Sequence, residues 1–264
     1  MAATTQNNGG LMESSGNPAL NLAAFQKAEQ QGGTSDAKLT TLSVYLRAGL
    51  LLLVMIIAAI FGWSQTEVFS IGNQQVVDIP PATWCISMIA FIVAMVGIFA
   101  YKAAAVVGFI YMLCQGFVIG VVCRAYAVEY DGIVAQAIVV TLAIFLGMLI
   151  LYSTKIIKVT PGFVSAIVVA MSGLLLGYFV IWLLSLFDPR IGVLFFTNTP
   201  IGIGLAVFIV VLAALSLAPD FKFIEMVAAS GAPSYMAWYA AFGLVLGIIW
   251  LFVSVLRLLA LSRR

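Results

Sequence analysis

The stretch WYAAFGLVLGIIWLFVSVLRLLAL, residues 238–261, is apolar over a length that can cross a membrane. A helix needs about 20 apolar residues to span the hydrocarbon core of a bilayer. The stretch contains neither an acidic residue nor a lysine. The missing lysine excludes a retinal-binding protein, which would need a Schiff base here. The missing acid argues against an intramembrane protease that relies on paired aspartates.

The composition of the whole chain extends this conclusion. Hydrophobic residues make up 64% of the 264 residues and charged residues only 8%, whereas about a quarter of a soluble domain is charged. So few polar side chains cannot cover the surface of a water-soluble protein. We therefore expect an all-α bundle in contact with the lipid bilayer. The net charge of +2 and the absence of a basic stripe predict no nucleic-acid partner.

Residue types that carry chemistry are scarce. The chain has no histidine, which excludes imidazole metal sites and histidine-based acid–base catalysis. Its three cysteines, Cys85, Cys114 and Cys123, lie in or beside apolar stretches without metal-ligand spacing, and we interpret them as small buried hydrophobes. No nucleophile–base pair or phosphate loop appears. The sequence therefore predicts no enzyme, no bound metal and no cofactor.

The chain divides into a tail and a membrane domain. Residues 1–37 are polar and rich in Gly, Gln, Asn, Ser and Thr, which predicts a disordered tail. Residues 38–264 are predicted to form one domain with seven transmembrane helices. The predicted spans cover about residues 42–62, 83–100, 104–125, 133–152, 163–187, 201–218 and 238–261.

The lysines predict the orientation. All six lysines, at positions 27, 38, 102, 155, 158 and 222, fall in the tail or in the loops after spans two, four and six. Cytoplasmic loops carry an excess of positive residues. We therefore expect a cytoplasmic N-terminus and, with seven spans, an external C-terminus.

Two pairs of glycines have the spacing of close helix packing. Gly116 and Gly120 form a GxxxG pair in span three, and Gly173 and Gly177 form another in span five. Glycines at this spacing let the backbones of two helices approach closely in a membrane. We interpret both pairs as packing sites.

Polar groups inside a bilayer are candidates for function because they are costly there. Arg47 lies one turn into span one and can extend to the cytoplasmic surface. Arg124 ends span three on the outer side, where an ion pair with Glu129 or Asp131 is expected. Gln115 is predicted to bond across helices, with cavity lining as the alternative. Arg257 is predicted to extend outward, or else to act as a counter-charge to a buried acid.

The segment PDFKFIE, residues 219–225, follows span six. An acid beside a proline at a helix end can be half-buried and hold its proton more tightly, which makes Asp220 a candidate pH sensor. The favoured alternative is an interfacial loop charge that is paired with Lys222. Glu225 is a further possible partner of Asp220.

Several motifs together resemble the Bax inhibitor-1 family, and most of all its bacterial YccA-like branch with a long N-terminal tail. They are DFKFIE at 220–225, SGAP at 230–233, MAWYAAFG at 236–243, LRLL at 256–259, QGFVIG at 115–120, YDGIVAQA at 130–137, VTPGF at 159–163 and NPAL at 17–20. The resemblance covers nearly the whole chain.

The resemblance implies a fold in which six helices surround the last one. It also implies a pH-sensitive calcium leak, in which aspartates of spans six and seven share a proton and hold the cytoplasmic side closed. Asp220 stands where the family has the first of these aspartates. Gly247 stands where it has the second. The aspartyl latch is therefore incomplete in this chain.

Two functional hypotheses follow from the resemblance. In the first, the protein lies in the bacterial inner membrane and leaks calcium or another cation, with gating near Asp220. In the second, it is a non-conducting partner that binds or restrains another membrane protein such as a protease, as other relatives are thought to do. The scarcity of carboxylates in the spans favours the second hypothesis, because calcium prefers several oxygen ligands.

Overall fold

The structure is a computed structural model that describes residues 39–71, 74–99, 103–188, 190 and 197–263. The predicted disordered tail lies outside these residues, as do Lys38 and Lys102. The described elements are α1 (Thr41–Ser64), β1 (Glu67–Ile71), β2 (Gln74–Asp78), α2 (Ala82–Phe99), α3 (Ala104–Glu129), α4 (Ile133–Ser153), α5 (Pro161–Ser185), α6 (Pro200–Ser230) and α7 (Met236–Ser262).

Six of these helices, all except α2, are long and apolar enough to cross a membrane. The apolar part of α2 is shorter, so the second predicted span stays a prediction. The other six predicted spans coincide with helices of spanning length. The protein is therefore a multi-pass membrane protein whose helices contact lipid.

A β-hairpin after α1 departs from the all-α prediction. Strands β1 and β2 pair antiparallel, with Glu67 opposite Asp78 and Phe69 opposite Val76. Valine and aromatic side chains favour strands, and only Gly72-Asn73 separates the two runs, which is a hairpin signal. We call the end of the bundle that carries this element the hairpin end, and the end where α1 begins the tail end.

The first GxxxG pair packs as predicted. A Cβ atom added to Gly116 or Gly120 of α3 would overlap the backbone carbonyl of Met55 or Ala59 in α1. Only glycine permits this approach. The second pair differs, because no described atom lies within 4 Å of a Cβ added to Gly173 or Gly177 in α5.

The best-buried helix is α7, which packs against α1, α3, α4 and α6. Its largest fully buried side chains are Tyr239, Phe242, Met236, Leu244 and Leu251. In contrast, α5 has a single buried residue among those described, Ile167. Much of the buried core is therefore contributed by α7, and little of it by α5.

The sixth helix is longer than predicted. The sequence predicts an end at residue 218, but α6 continues through Pro219 to Ser230. Proline lacks the N–H group of one helical hydrogen bond, and neighbouring helices in membrane proteins compensate for such a loss. Here Leu217, Phe221 and Ile224, each at most 1% exposed, continue one buried stripe across the proline.

The cysteines have three different environments. Cys123 is buried, Cys114 is partly buried and Cys85 is exposed. The prediction of burial is therefore confirmed for Cys123 and wrong for Cys85, because Cys85 lies on a face of α2 that no other described part of the protein covers.

Candidate functional site around Asp220

Asp220 lies inside the bundle and not in a loop. The residue follows Pro219 in the middle part of α6 and is 1% exposed, which is deeper than the half-buried position expected from the sequence. A carboxylate is costly to bury when it is charged. The position of Asp220 therefore makes it the first candidate for a functional ionisable group in the described part of the protein.

Asp220 faces α7 at a glycine. A Cβ atom added to Gly247 would lie 3.2 Å from Oδ2 of Asp220 and 3.5 Å from Cδ2 of Leu217. The missing side chain of Gly247 thus lets α6 and its carboxylate lie directly against the backbone of α7. Gly247 is also the position at which the family resemblance would place an aspartate. The two positions of the expected latch are adjacent, although only one of them is an acid.

Lys222 and Glu225 lie near Asp220 in sequence but are exposed. The ammonium group of Lys222 donates a hydrogen bond of 2.6 Å to the carbonyl oxygen of Val159, in the loop between α4 and α5. The carboxylate of Glu225 accepts a hydrogen bond from the hydroxyl of Tyr152, in the last turn of α4. Both side chains therefore fasten α6 to α4 and to the loop that follows it.

We call residues 220–230 the distal segment of α6. Its Phe221 contacts two aromatic rings of α4, with centroid distances of 5.7 Å to Phe145 and 5.8 Å to Tyr152. Such pairs add about 0.5–1.5 kcal/mol each to the effect of burial. The distal segment therefore packs on α4 through its aromatic side chain and is fastened there by Glu225.

The loop after the distal segment is held by α1. Gly231 ends α6 with a φ of 77°, a left-handed conformation that favours glycine. The backbone N–H of Leu39 donates to the carbonyl of Ala232 at 2.8 Å, and the guanidinium of Arg47 donates to the carbonyl of Ser234. Arg47 also lies 5.2 Å from the ring centroid of Trp238. The tail end of the bundle is thus tied together by α1, α4 and α6.

The structure places Arg257 away from this site along α7. Arg257 lies ten residues after Gly247, about 15 Å further along the helix, and its guanidinium donates to the hydroxyl of Tyr178 in α5 at 3.0 Å. It therefore connects α5 to α7. Gln115 is half-buried in α3 beside Gly116, and its predicted role in interhelical bonding or cavity lining stays a prediction.

Arg124 has an aromatic partner: its guanidinium carbon lies over the ring of Trp63, 5.2 Å from the centroid. The expected ion pair of Arg124 with Glu129 or Asp131 stays a prediction. Trp63 is not among the candidate residues predicted from the sequence. The signal available was a tryptophan near the end of a span, where aromatic residues are enriched in membrane proteins.

The spanning helices define the class as a multi-pass helical membrane protein, with one carboxylate, Asp220, among its described buried side chains. A sequence model of the family described as Bax inhibitor 1 like matches residues 17–264. The chain therefore belongs to the Bax inhibitor-1 family. Comparisons with curated proteins and with solved structures gave no match.

Proposed function

We propose that the protein is a pH-sensitive cation leak of the bacterial inner membrane, in which Asp220 is the pH-sensing group. We further propose that the tail end faces the cytoplasm, as the lysine distribution favours, and that α7 is the centre of the bundle. Calcium is the cation that the family resemblance suggests. The single observation that carries the proposal is the burial of the Asp220 carboxylate against Gly247 of α7.

The physical basis is the difference between the two forms of a buried carboxyl group. The neutral form is compatible with tight packing between α6 and α7, whereas the charged form needs water, a cation or another partner. As pH rises and Asp220 loses its proton, contact between the distal segment and α7 becomes less favourable. We therefore expect the leak to open as pH rises and to close as pH falls.

The element that moves is the distal segment of α6. Pro219 leaves this helix without one backbone hydrogen bond at its junction with the distal segment. The contacts that keep the segment closed are those of Phe221 with Phe145 and of Glu225 with Tyr152. Movement of residues 220–230 about the proline would expose Asp220 to the tail end of the bundle.

Calcium flux into liposomes tests this proposal. The purified full-length protein is reconstituted with a calcium-sensitive dye inside the vesicles, and flux is measured over a range of pH. Asp220→Asn is compared with Asp78→Asn, which neutralises an exposed aspartate of the β-hairpin. We expect flux that rises with pH in the natural protein and in Asp78→Asn, and low flux without pH dependence in Asp220→Asn.

Two results would count against the leak. Flux no greater than that of empty liposomes at every pH would refute conduction. A pH profile of Asp220→Asn that matches the natural protein would refute the role of Asp220. Size-exclusion chromatography of each variant shows whether the protein is folded before the flux is interpreted.

The alternative function is that of a non-conducting partner of another membrane protein, such as a protease. The observation in its favour is α5, in which a Cβ added to Gly173 or Gly177 meets no described atom within 4 Å. Two glycines at this spacing form a surface on which a second helix can pack closely. The second hypothesis assigns this surface to a helix of the partner.

Affinity purification from mild detergent tests the alternative. The double substitution Gly173→Leu and Gly177→Leu should release a membrane-protein partner that the natural chain retains. Gly147→Leu is the matched control, because Gly147 in α4 also has no described neighbour within 4 Å. A partner retained equally by the double variant and by the control would show that α5 is not the docking surface.

A further inference from the structure

An apolar cavity of about 560 Å³ opens between α1, α3, α4 and α7. Among the residues that line it are Leu52, Trp63, Cys123, Ile138 and Phe252. Its volume is within the range of about 300–1,000 Å³ in which proteins bind small ligands. Because the cavity opens on the outside of a membrane bundle, the molecules that reach it first are lipids.

A positive charge lies beside two residues that line the cavity. Arg124 follows the lining residue Cys123, and its guanidinium lies over the lining residue Trp63 at 5.2 Å from the ring centroid. Its Nε atom is buried and has no hydrogen-bond acceptor among the described residues. A buried charged donor without an acceptor is costly. A ligand with an anionic oxygen near the guanidinium would offset this cost.

We propose that the cavity binds one phospholipid, with an acyl chain between the four helices and a phosphate oxygen on the guanidinium of Arg124. Guanidinium groups bind phosphate through two parallel hydrogen bonds. Trp63 is the penultimate residue of α1, which ends at Ser64. Tryptophan is enriched at the membrane–water interface. The phosphate thus lies at headgroup depth, while the acyl chain extends into the hydrocarbon core.

The lining of the cavity selects a lipid over a free anion. Thr141 is one of its few polar residues, and its hydroxyl already donates to the carbonyl of Ala137 at 2.7 Å. An inorganic phosphate could bind the guanidinium of Arg124, but it would make no favourable contact with the apolar surface. An acyl chain could pack against that surface. Only a phospholipid could both pack against the surface and bind Arg124. This inference does not depend on whether the protein conducts ions.

Native mass spectrometry of the full-length protein in detergent tests the site. The probes are phosphatidylglycerol, a diacylglycerol with the same acyl chains but no phosphate, and inorganic phosphate. Arg124→Gln removes the guanidinium, and Arg124→Lys retains only the charge. Ile138→Trp fills the cavity from a side chain that is 47% exposed, so it disturbs little of the core.

Two matched controls accompany these variants. Arg190→Gln removes an exposed arginine that lies in another part of the chain. Leu146→Trp adds a tryptophan to the same helix as Ile138, at a residue that is 53% exposed and does not line the cavity. The secondary structure and elution volume of every variant are measured first, so that misfolded protein is excluded.

We expect the natural chain and both controls to retain one phosphatidylglycerol per protein, and to retain it more strongly than diacylglycerol. Arg124→Gln should weaken phosphatidylglycerol binding about tenfold, which is the effect expected from losing a charge-assisted hydrogen bond. The affinity of Arg124→Lys for phosphatidylglycerol should lie between that of the natural chain and that of Arg124→Gln. Ile138→Trp should weaken both lipids.

Three results would overturn the proposal. The first is equal retention of phosphatidylglycerol by Arg124→Gln and Arg190→Gln. The second is equal binding of phosphatidylglycerol and diacylglycerol to the natural chain, which would mean that the cavity binds acyl chains without reading the phosphate. The third is displacement of phosphatidylglycerol by inorganic phosphate, which would assign the site to a free anion.

Discussion

The contact between α1 and α3 gives the sharpest prediction about stability. A methyl group at residue 120 would overlap the backbone carbonyl of Ala59, and a helix backbone cannot turn aside as a flexible side chain can. Overpacking of this kind costs about 1–3 kcal/mol, and the rigid neighbour argues for the upper part of that range. Alanine regains about 1 kcal/mol because it is the better helix former. We therefore expect Gly120→Ala to lose about 2 kcal/mol.

The assay is equilibrium unfolding in mixed detergent micelles, with Gly49→Ala in α1 as the matched control. No described atom lies within 4 Å of a Cβ added to Gly49, so this variant should gain up to about 1 kcal/mol from helix propensity alone. The free energies of unfolding of the two variants should therefore differ by about 3 kcal/mol. Equal unfolding midpoints would refute the close approach of α1 and α3.

Two further predictions concern the faces of α7. Gly247→Asp would place a second carboxyl group beside Asp220, from which a Cβ at this position is 3.2 Å away. Because two adjacent carboxylates resist simultaneous ionisation, we expect calcium flux in liposomes to respond to pH in two proton steps. An unchanged profile would contradict the adjacency. Tyr178→Phe removes the hydroxyl that accepts the hydrogen bond of Arg257, with an expected loss of about 0.5–1.5 kcal/mol. Hydrogen exchange within α5 should then increase, and exchange equal to that of the natural protein would show that this bond does not hold the helix.

The spanning helices were largely predictable from the sequence, because their apolar runs and their breakers coincide. Thr160 and Thr199 show why the breakers were reliable at the starts of α5 and α6. Each threonine accepts a backbone hydrogen bond, from Phe163 at 3.2 Å and from Gly202 at 3.0 Å, and a proline follows each threonine. The threonine side chain accepts a hydrogen bond from a backbone N–H that has no partner within the helix, and proline has no N–H that would need one. The combination therefore favours a helix start for a physical reason.

The end of α6 does not follow from the sequence, because the rule that proline ends a helix places it at residue 218. A local rule about Pro219 was overridden by burial on both sides of it, and this burial depends on contacts with α4 and α7. The periodicity of Leu217, Phe221 and Ile224 was the signal available in the sequence. Had the helix been extended on that pattern, Asp220 would have been placed inside the bundle.

The relation between Asp220 and Gly247 could be predicted only through the family resemblance. Residues 27 positions apart give no local signal of contact, and a glycine carries no chemistry that would attract attention. The site around Arg124 had even less support in the sequence, because its stacking partner Trp63 lies in another helix. Local patterns thus predicted the elements, whereas the sites depend on how those elements pack.

The two candidate sites meet at neighbouring residues of α7. Gly247 contacts Asp220 on the side of α6, and Ile248 and Phe252 line the apolar cavity on the side of α1 and α4. One face of α7 thus contacts an ionisable group, and another would contact a lipid chain. A shift of the helix that relieves one of these contacts changes the other. The variants at Arg124 and at Asp220 are therefore each measured with the readout of the other site as well. If a substitution at one site leaves the readout of the other unchanged, α7 holds its position whether or not either site is occupied or charged.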